Sequence, residues 1–193
     1  MQERIHSVLR IPAAICLLLC LVTAAQASEK TRLIYSFEKG LEGWRGTEKS
    51  TRLSLSQQKP SQGRRALSVT ATFPGTCNVQ AEPTEKQGEW LNHDRLLVDV
   101  FVPEGAPEGL QIMAWLKDWD LNYYQNLRGD PLPRGKWTTV AFDIRPESLE
   151  WQYVGHFKPW DGYVCRRILQ FGLKFVSKNK GACTVLVDNV RIV

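Results

Sequence analysis

The chain has 193 residues, with 25 basic against 20 acidic side chains, a formal net charge of +5, and aromatics at 10%. The basic residues are interspersed with acids rather than gathered in runs, so the charge does not point to a nucleic-acid partner. Histidines number only three, and no H-E-x-x-H or G-x-S-x-G pattern ties them to a catalytic mechanism.

Arg4 and Arg10 precede an apolar stretch from Ile11 to Val22, and Ala25-Gln26-Ala27 follows as a small-x-small cleavage site. This is the pattern of a secretory signal peptide over residues 1–27, with a mature start at Ser28 and delivery to the exterior or a periplasm. The apolar run is roughly a dozen residues, short of the ~20 that a spanning helix needs, so no membrane insertion is expected after leader removal. Neither Cys16 after Ile15 nor Cys20 after Leu19 has the small preceding residue of a lipidated cysteine. The leader carries Arg4 and Arg10 against Glu3, which leaves the remainder at +4. Cys77, Cys165 and Cys183 also remain, and an oxidising compartment predicts one disulfide among them. Cys77 with Cys165 is the preferred pair because both sit near strand–loop junctions; the spacing leaves the other pairings open.

Residues 28–193 read as one domain, large enough to bury a core without disulfide help. Strand-like alternation begins at Leu33 to Phe37, resumes at Arg52 to Ser56, and is clear from Ala66 to Phe73. Arg95 to Val102 alternates Leu96, Val98, Val100 and Val102 against its other face, and Pro103 stops it. Leu110 to Lys117, Lys136 to Ile144, Ile168 to Val176 and Cys183 to Val193 complete the set. With no strong helical pattern beyond a possible turn after Pro146, this predicts an all-β antiparallel sandwich or barrel. The long segment 145–164 carries Trp151, Tyr153, His156, Phe157, Trp160 and Tyr163. These aromatics either clamp a ligand or anchor the loop by burial.

Alternation also sorts side chains by face. Leu110, Ile112, Ala114 and Leu116 share one face, leaving Gln111, Met113, Trp115 and Lys117 on the other. Leu169, Phe171, Leu173 and Phe175 leave Ile168, Gln170, Gly172, Lys174 and Val176 opposite. If these strands share a sheet with Arg95–Val102, one surface presents Asp99, Gln111, Trp115, Lys117, Gln170 and Lys174. Trp119, Tyr123 and Tyr124, at a sheet edge or hairpin tip, would extend it. That mixture suits a sugar, whose apolar C–H faces stack on aromatic rings while its hydroxyls need planar donors and acceptors. Gly172 leaves room above the sheet. The alternative places these aromatics in packing under loops.

The opening Phe37-Glu38-Lys39-Gly40-Leu41-Glu42-Gly43-Trp44 and closing Val187-Asp188-Asn189-Val190-Arg191-Ile192 resemble the two ends of a galactose-binding-like β-sandwich, the jelly-roll fold of many carbohydrate-binding modules. The resemblance implies that the first and last strands lie together and that a glycan chain crosses the concave face of one sheet. It further implies a structural calcium ion held by Glu38 and Asp188, with carbonyls from the Gly63-Arg64-Arg65-Ala66-Leu67 turn. Calcium favours such hard oxygens, although Arg64 and Arg65 are positioned to replace it with positive charge. The function expected is non-catalytic binding of an oligo- or polysaccharide. A glycan-degrading enzyme, drawing on Tyr153, His156, Tyr163 and Arg166, and an extracellular protein-interaction domain are the alternatives.

Overall fold

The computed structural model describes residues 31–155 and 158–193; the leader expected at 1–27 and the His156 of the lyase alternative lie outside them. The elements are Arg32–Tyr35 (β1), Arg45–Gly46 (β2), Arg52–Ser56 (β3), Ala66–Ala81 (β4), Arg95–Phe101 (β5), Gln111–Asp118 (β6), Tyr123–Asn126 (β7), Trp137–Asp143 (β8), Trp151–Tyr153 (β9), the short helix Gly162–Arg166 (α1) and Ile168–Ile192 (β10). Every strand pairing is antiparallel.

Two long strands organise the sandwich. β4 and β10 pair from Phe171 opposite Ala81 to Val187 opposite Leu67, and the register breaks only between Ser177 and Gly181. At that break β4 has Pro74, which has no N–H to donate, followed by Gly75 at a φ of +127° that suits a residue without Cβ. On one side of the break the order is β2-β4-β10-β6-β7-β9, the first sheet. On the other, β3 joins β4, while β5 and then β8 extend from β10, giving the second sheet. β1 pairs with the end of β10, Arg32 opposite Ile192, so the first and last strands do meet.

The inner faces of the two sheets form one core. Phe171 of the first sheet packs edge-on against Trp44 and Trp90, and Trp44 in turn meets Tyr35 of β1 at 5.3 Å between centroids. Such edge-to-face contacts are the preferred geometry of aromatic pairs. Ile112, Ala114 and Leu116 point inward from β6 beside Leu173 and Phe175 of β10, as the alternation requires. Trp151 and Trp160 anchor the long loop: both are buried, they stack at 4.5 Å, and their indole N–H groups donate to the Asp143 and Arg145 carbonyls, whereas Tyr163 is exposed. Helix α1 forms at 162–166 rather than after Pro146, because Asp161 caps it by accepting from the Tyr163 and Val164 amides.

The expected Cys77–Cys165 disulfide is not formed; Cys77, Cys165 and Cys183 are buried free thiols. The two sulfurs face different partners. Cys77 Sγ lies 3.3 Å from the Thr51 hydroxyl, whereas Cys165 Sγ donates to the Ile144 carbonyl.

Candidate functional site

Cross-strand register defines what the outer face of the first sheet presents. Residues directly opposite in neighbouring strands point to the same face. One row therefore runs Arg45, Gln80, Gly172, Trp115, Gln125 and Gln152 across β2, β4, β10, β6, β7 and β9. A second row on one side contains Gln170, Lys117 and Tyr123, continued by Glu82. A third on the other side contains Asn78, Lys174 and Met113. Aromatic rings at the middle of the face are surrounded by amides, lysines and carboxylates.

Trp115 is turned away from the core, as the alternation predicts, but it is not the open platform expected of it. It is only 5% exposed. Its indole lies across the neighbouring strand, where a Cβ on Gly172 would come within 2.3 Å of its ring. Gly172 thus makes room for the tryptophan, not for a ligand. Tyr123 stacks on Trp115 at 5.5 Å and 28° between ring planes. The surface offered at the centre is consequently the half-buried Tyr123 on a Trp115 foundation, and burial raises the Tyr123 pKa. Trp115 Nε1 is buried with no acceptor among the described residues. An indole N–H left in that state costs about 1–3 kcal/mol; it lies on the sheet side, 2.5 Å from where a Cβ on Gly172 would stand.

Polar groups around the aromatic pair are already oriented. Lys174 Nζ donates to Gln125 Oε1 at 2.5 Å, and Gln125 Nε2 donates to Met113 Sδ at 3.7 Å. Burial lowers the Lys174 pKa against the opposing field of Glu48. Gln170 donates to Glu82, which also receives Arg45 at 2.6 Å. Gln80, Gln125 and Gln152 escaped the sequence reading. Their strands were read only in part (β4) or not at all (β7, β9), since segments of three or four residues show too little alternation to register.

The remaining expected ligand residues divide. Gln111, Lys117, Tyr123, Gln170 and Lys174 share this face with Trp115. Trp119 stands at the β6–β7 hairpin tip, 54% exposed, and its ring partner is the Arg167 guanidinium at 4.5 Å instead of Trp115 or Tyr123. Asp99 does not belong to the face. It lies on β5 of the second sheet, opposite Asp188, because β5 pairs with β10 beyond the bend. Asp99 is buried and accepts from the Thr139, Ser61, Asn189 and Arg191 side chains.

The 57–65 segment lies over part of the outer face of that second sheet, while the row Arg52, Thr70 and Thr184 stays exposed. Lys59 sits on Phe101, and the Lys59 carbonyl accepts from the Trp137 indole. Ser61 and Gln62 donate their amides to Asp188 Oδ2 at 2.9 and 3.0 Å. Glu38 grips the same segment farther on, its Oε1 accepting the Arg64 and Arg65 amides at 2.8 and 2.9 Å. These two carboxylates do converge on the turn, as the resemblance implied, but the turn offers them N–H donors where calcium would need carbonyl oxygens. Asp188 Oδ1 is likewise taken, by the Asn189 amide at 2.7 Å. The residues present do not fit a calcium site. Arg64 and Arg65 act on Glu38 chiefly through their main-chain amides, which lower its pKa.

No protein-family model matches this sequence, and no curated protein matches it. Solved structures do match in fold. A carbohydrate-binding module of the β-sandwich superfamily superposes with a TM-score of 0.57 at 16% identity, over 84% of this chain and 62% of that one. A family 11 carbohydrate-binding module from Clostridium thermocellum, in complex with a β-1,3-1,4-mixed-linked tetrasaccharide, gives 0.57 at 15% identity, covering 84% and 95%. An exo-β-agarase gives 0.62 at 14% identity, over 83% of this chain and a quarter (25%) of that one. The chain has the β-sandwich fold of these modules, and the resemblance read from its two ends holds at the level of fold.

Proposed function

We propose that the protein is a non-catalytic carbohydrate-binding domain that takes an oligo- or polysaccharide across the outer face of its first sheet. The observation that carries this reading is the six-residue row from Arg45 to Gln152, with the Trp115–Tyr123 stack at its middle. A glycan chain laid along the row, with one ring on Tyr123, would pass Gln80, Gln125, Gln152 and Gln170, whose planar amides suit its hydroxyls. On the second sheet the 57–65 segment takes up the outward aromatics: Lys59 lies on Phe101 and its carbonyl accepts from the Trp137 indole. Support also comes from the sugar-binding modules that share the fold. Export through the 1–27 leader would bring the domain to extracellular or periplasmic polysaccharide.

A panel of soluble polysaccharides in affinity electrophoresis, with product analysis of every mixture, tests this reading. Binding without degradation is expected. Tyr123→Ala should weaken it by about 1–3 kcal/mol while leaving the melting temperature nearly unchanged, the pattern of a lost stacking contact. New reducing ends or unsaturated products would make the domain an enzyme. Retention of full affinity by both Tyr123→Ala and Gln125→Ala would remove the face from consideration.

A further inference from the structure

We infer that the glycan is anionic, carrying carboxylate or sulfate groups along both of its edges; the inference rests on the binding reading above. Its basis is the placement of two lysines relative to the central row. Lys117 is two residues beyond Trp115 on β6, and Lys174 is two residues beyond Gly172 on β10. Because those strands are antiparallel, the two steps go in opposite directions. One lysine therefore lies on each side of the row. Each is displaced by roughly 7 Å along its strand at about 3.4 Å per residue. A chain lying along the row, across the strands, would run between two ammonium groups.

The carboxylates on the same face do not neutralise that pair. Glu82 is committed to Arg45 and Gln170. Glu48 accepts from the Asn78 amide, the Asn78 side chain and the Thr51 hydroxyl. Its field reaches Lys174, yet neither Lys117 nor Lys174 enters an ion pair among the described residues. Lys174 is also partly desolvated, and it donates to the neutral Gln125 amide. A half-buried ammonium with only a neutral partner gains most from a charged acceptor. A neutral glycan would leave both lysines bonded to amide or water. In a 1,4-linked polymer with near two-fold symmetry, successive rings turn their ring substituents to alternate edges, and charged substituents would meet Lys117 and Lys174 in turn.

The test compares the protein's affinity for polygalacturonate and alginate, for a sulfated galactan, and for unsubstituted xylan, mixed-linkage β-glucan and agarose, with polyglutamate as a charge control. The carboxylated or the sulfated set should bind at least about ten-fold more tightly than the neutral set. Which of the two wins identifies the anion. Lys117→Gln and Lys174→Gln should each weaken that binding about three- to ten-fold, as for loss of one charge-assisted contact, a larger loss than either causes for neutral polymers. Equal affinity for neutral and anionic glycans, unchanged by either substitution, would overturn the inference and leave the binding reading intact. Polyglutamate binding as tight as that of the best polysaccharide would also overturn it, since charge alone would then suffice. Absence of binding to every glycan would instead defeat the binding reading itself.

Discussion

Asp188 and Asp99 stand directly opposite each other on β10 and β5, and the Ser61 hydroxyl reaches an oxygen of each, at 3.2 and 3.0 Å. A hydroxyl has one hydrogen, so it donates to one carboxylate at a time. The pair is held together by unequal surroundings. Burial pushes Asp99 up, but donors from Asn189, Thr139 and Ser61, with the Arg191 charge, outweigh it and hold its pKa below the usual value. For Asp188 burial prevails over the Gln62, Asn189 and Ser61 donors, and its pKa is raised.

These directions set a pH dependence. A lowered folded pKa stabilises above the unfolded value of about 3.9 and loses that contribution as pH falls through the folded pKa. Asp99 thus contributes acid lability. Asp188 acts in the opposite sense: its contribution is present below the unfolded value and disappears as pH rises through the folded one. Asp99→Asn is expected to cost about 1–3 kcal/mol at neutral pH and to flatten the decline below about pH 4. Urea midpoints of both proteins from pH 2.5 to 7 measure this; parallel curves would show that Asp99 does not titrate with folding.

The grip of Glu38 and Asp188 on the 61–65 turn leads to a second expectation. With main-chain amides on their oxygens, a chelator should leave the melting temperature unchanged and added calcium should not raise it. Gly63 should matter more. It has a φ of +64°, and a Cβ there would come within 2.4 Å of Glu38 Oε1. Gly63→Ala is expected to destabilise by about 1–3 kcal/mol, through left-handed backbone strain and a displaced carboxylate. Chelator-sensitive unfolding would show that the turn rearranges around a metal.

Gly172 is the third position. Any side chain there must move the Trp115 indole, which lies 2.3 Å from the Cβ position. Gly172→Ala should shift tryptophan emission to longer wavelength as Trp115 is lifted from the sheet, and should abolish glycan binding together with the Tyr123 stack. Stability should fall by about 1–3 kcal/mol, the range for overpacking. Unchanged emission and affinity would mean that the indole is not seated over Gly172.

The thiols supply a fourth. Burial raises the pKa of Cys165 to about 12 and, with the nearby Cys77, that of Cys183 to about 11. Thiolate is the reactive form. Alkylation followed by peptide mass analysis should find Cys77, Cys165 and Cys183 unmodified in the native protein and all three modified in denaturant without reductant. A disulfide-linked peptide would contradict the free-thiol arrangement.

On β6 the sequence alone determined which side chains turn inward and which outward; on β10 the register shift between Ile168 and Gln170 put Ile168, not Leu169, in the core. Ile112, Ala114 and Leu116 against Gln111, Met113, Trp115 and Lys117 follow from the two-residue period of a strand, a local property of the backbone. The resemblance of two sequence motifs to a galactose-binding-like sandwich implied that the first and last strands meet, as β1 and β10 do. Alternation names a face but not a sheet, and so Asp99 was read onto the wrong one. Only the bend in β4 and β10 at Pro74–Gly75 and Ser177–Gly181 decides that β6 lies beside one half of β10 and β5 beside the other. Tertiary structure likewise laid Trp115 over Gly172, put Tyr123 upon it, and brought Gln80, Gln125 and Gln152 into its row. Those neighbours belong to strands far apart in the chain, and hydrogen-bond register across strands carries no trace in any one strand's own pattern.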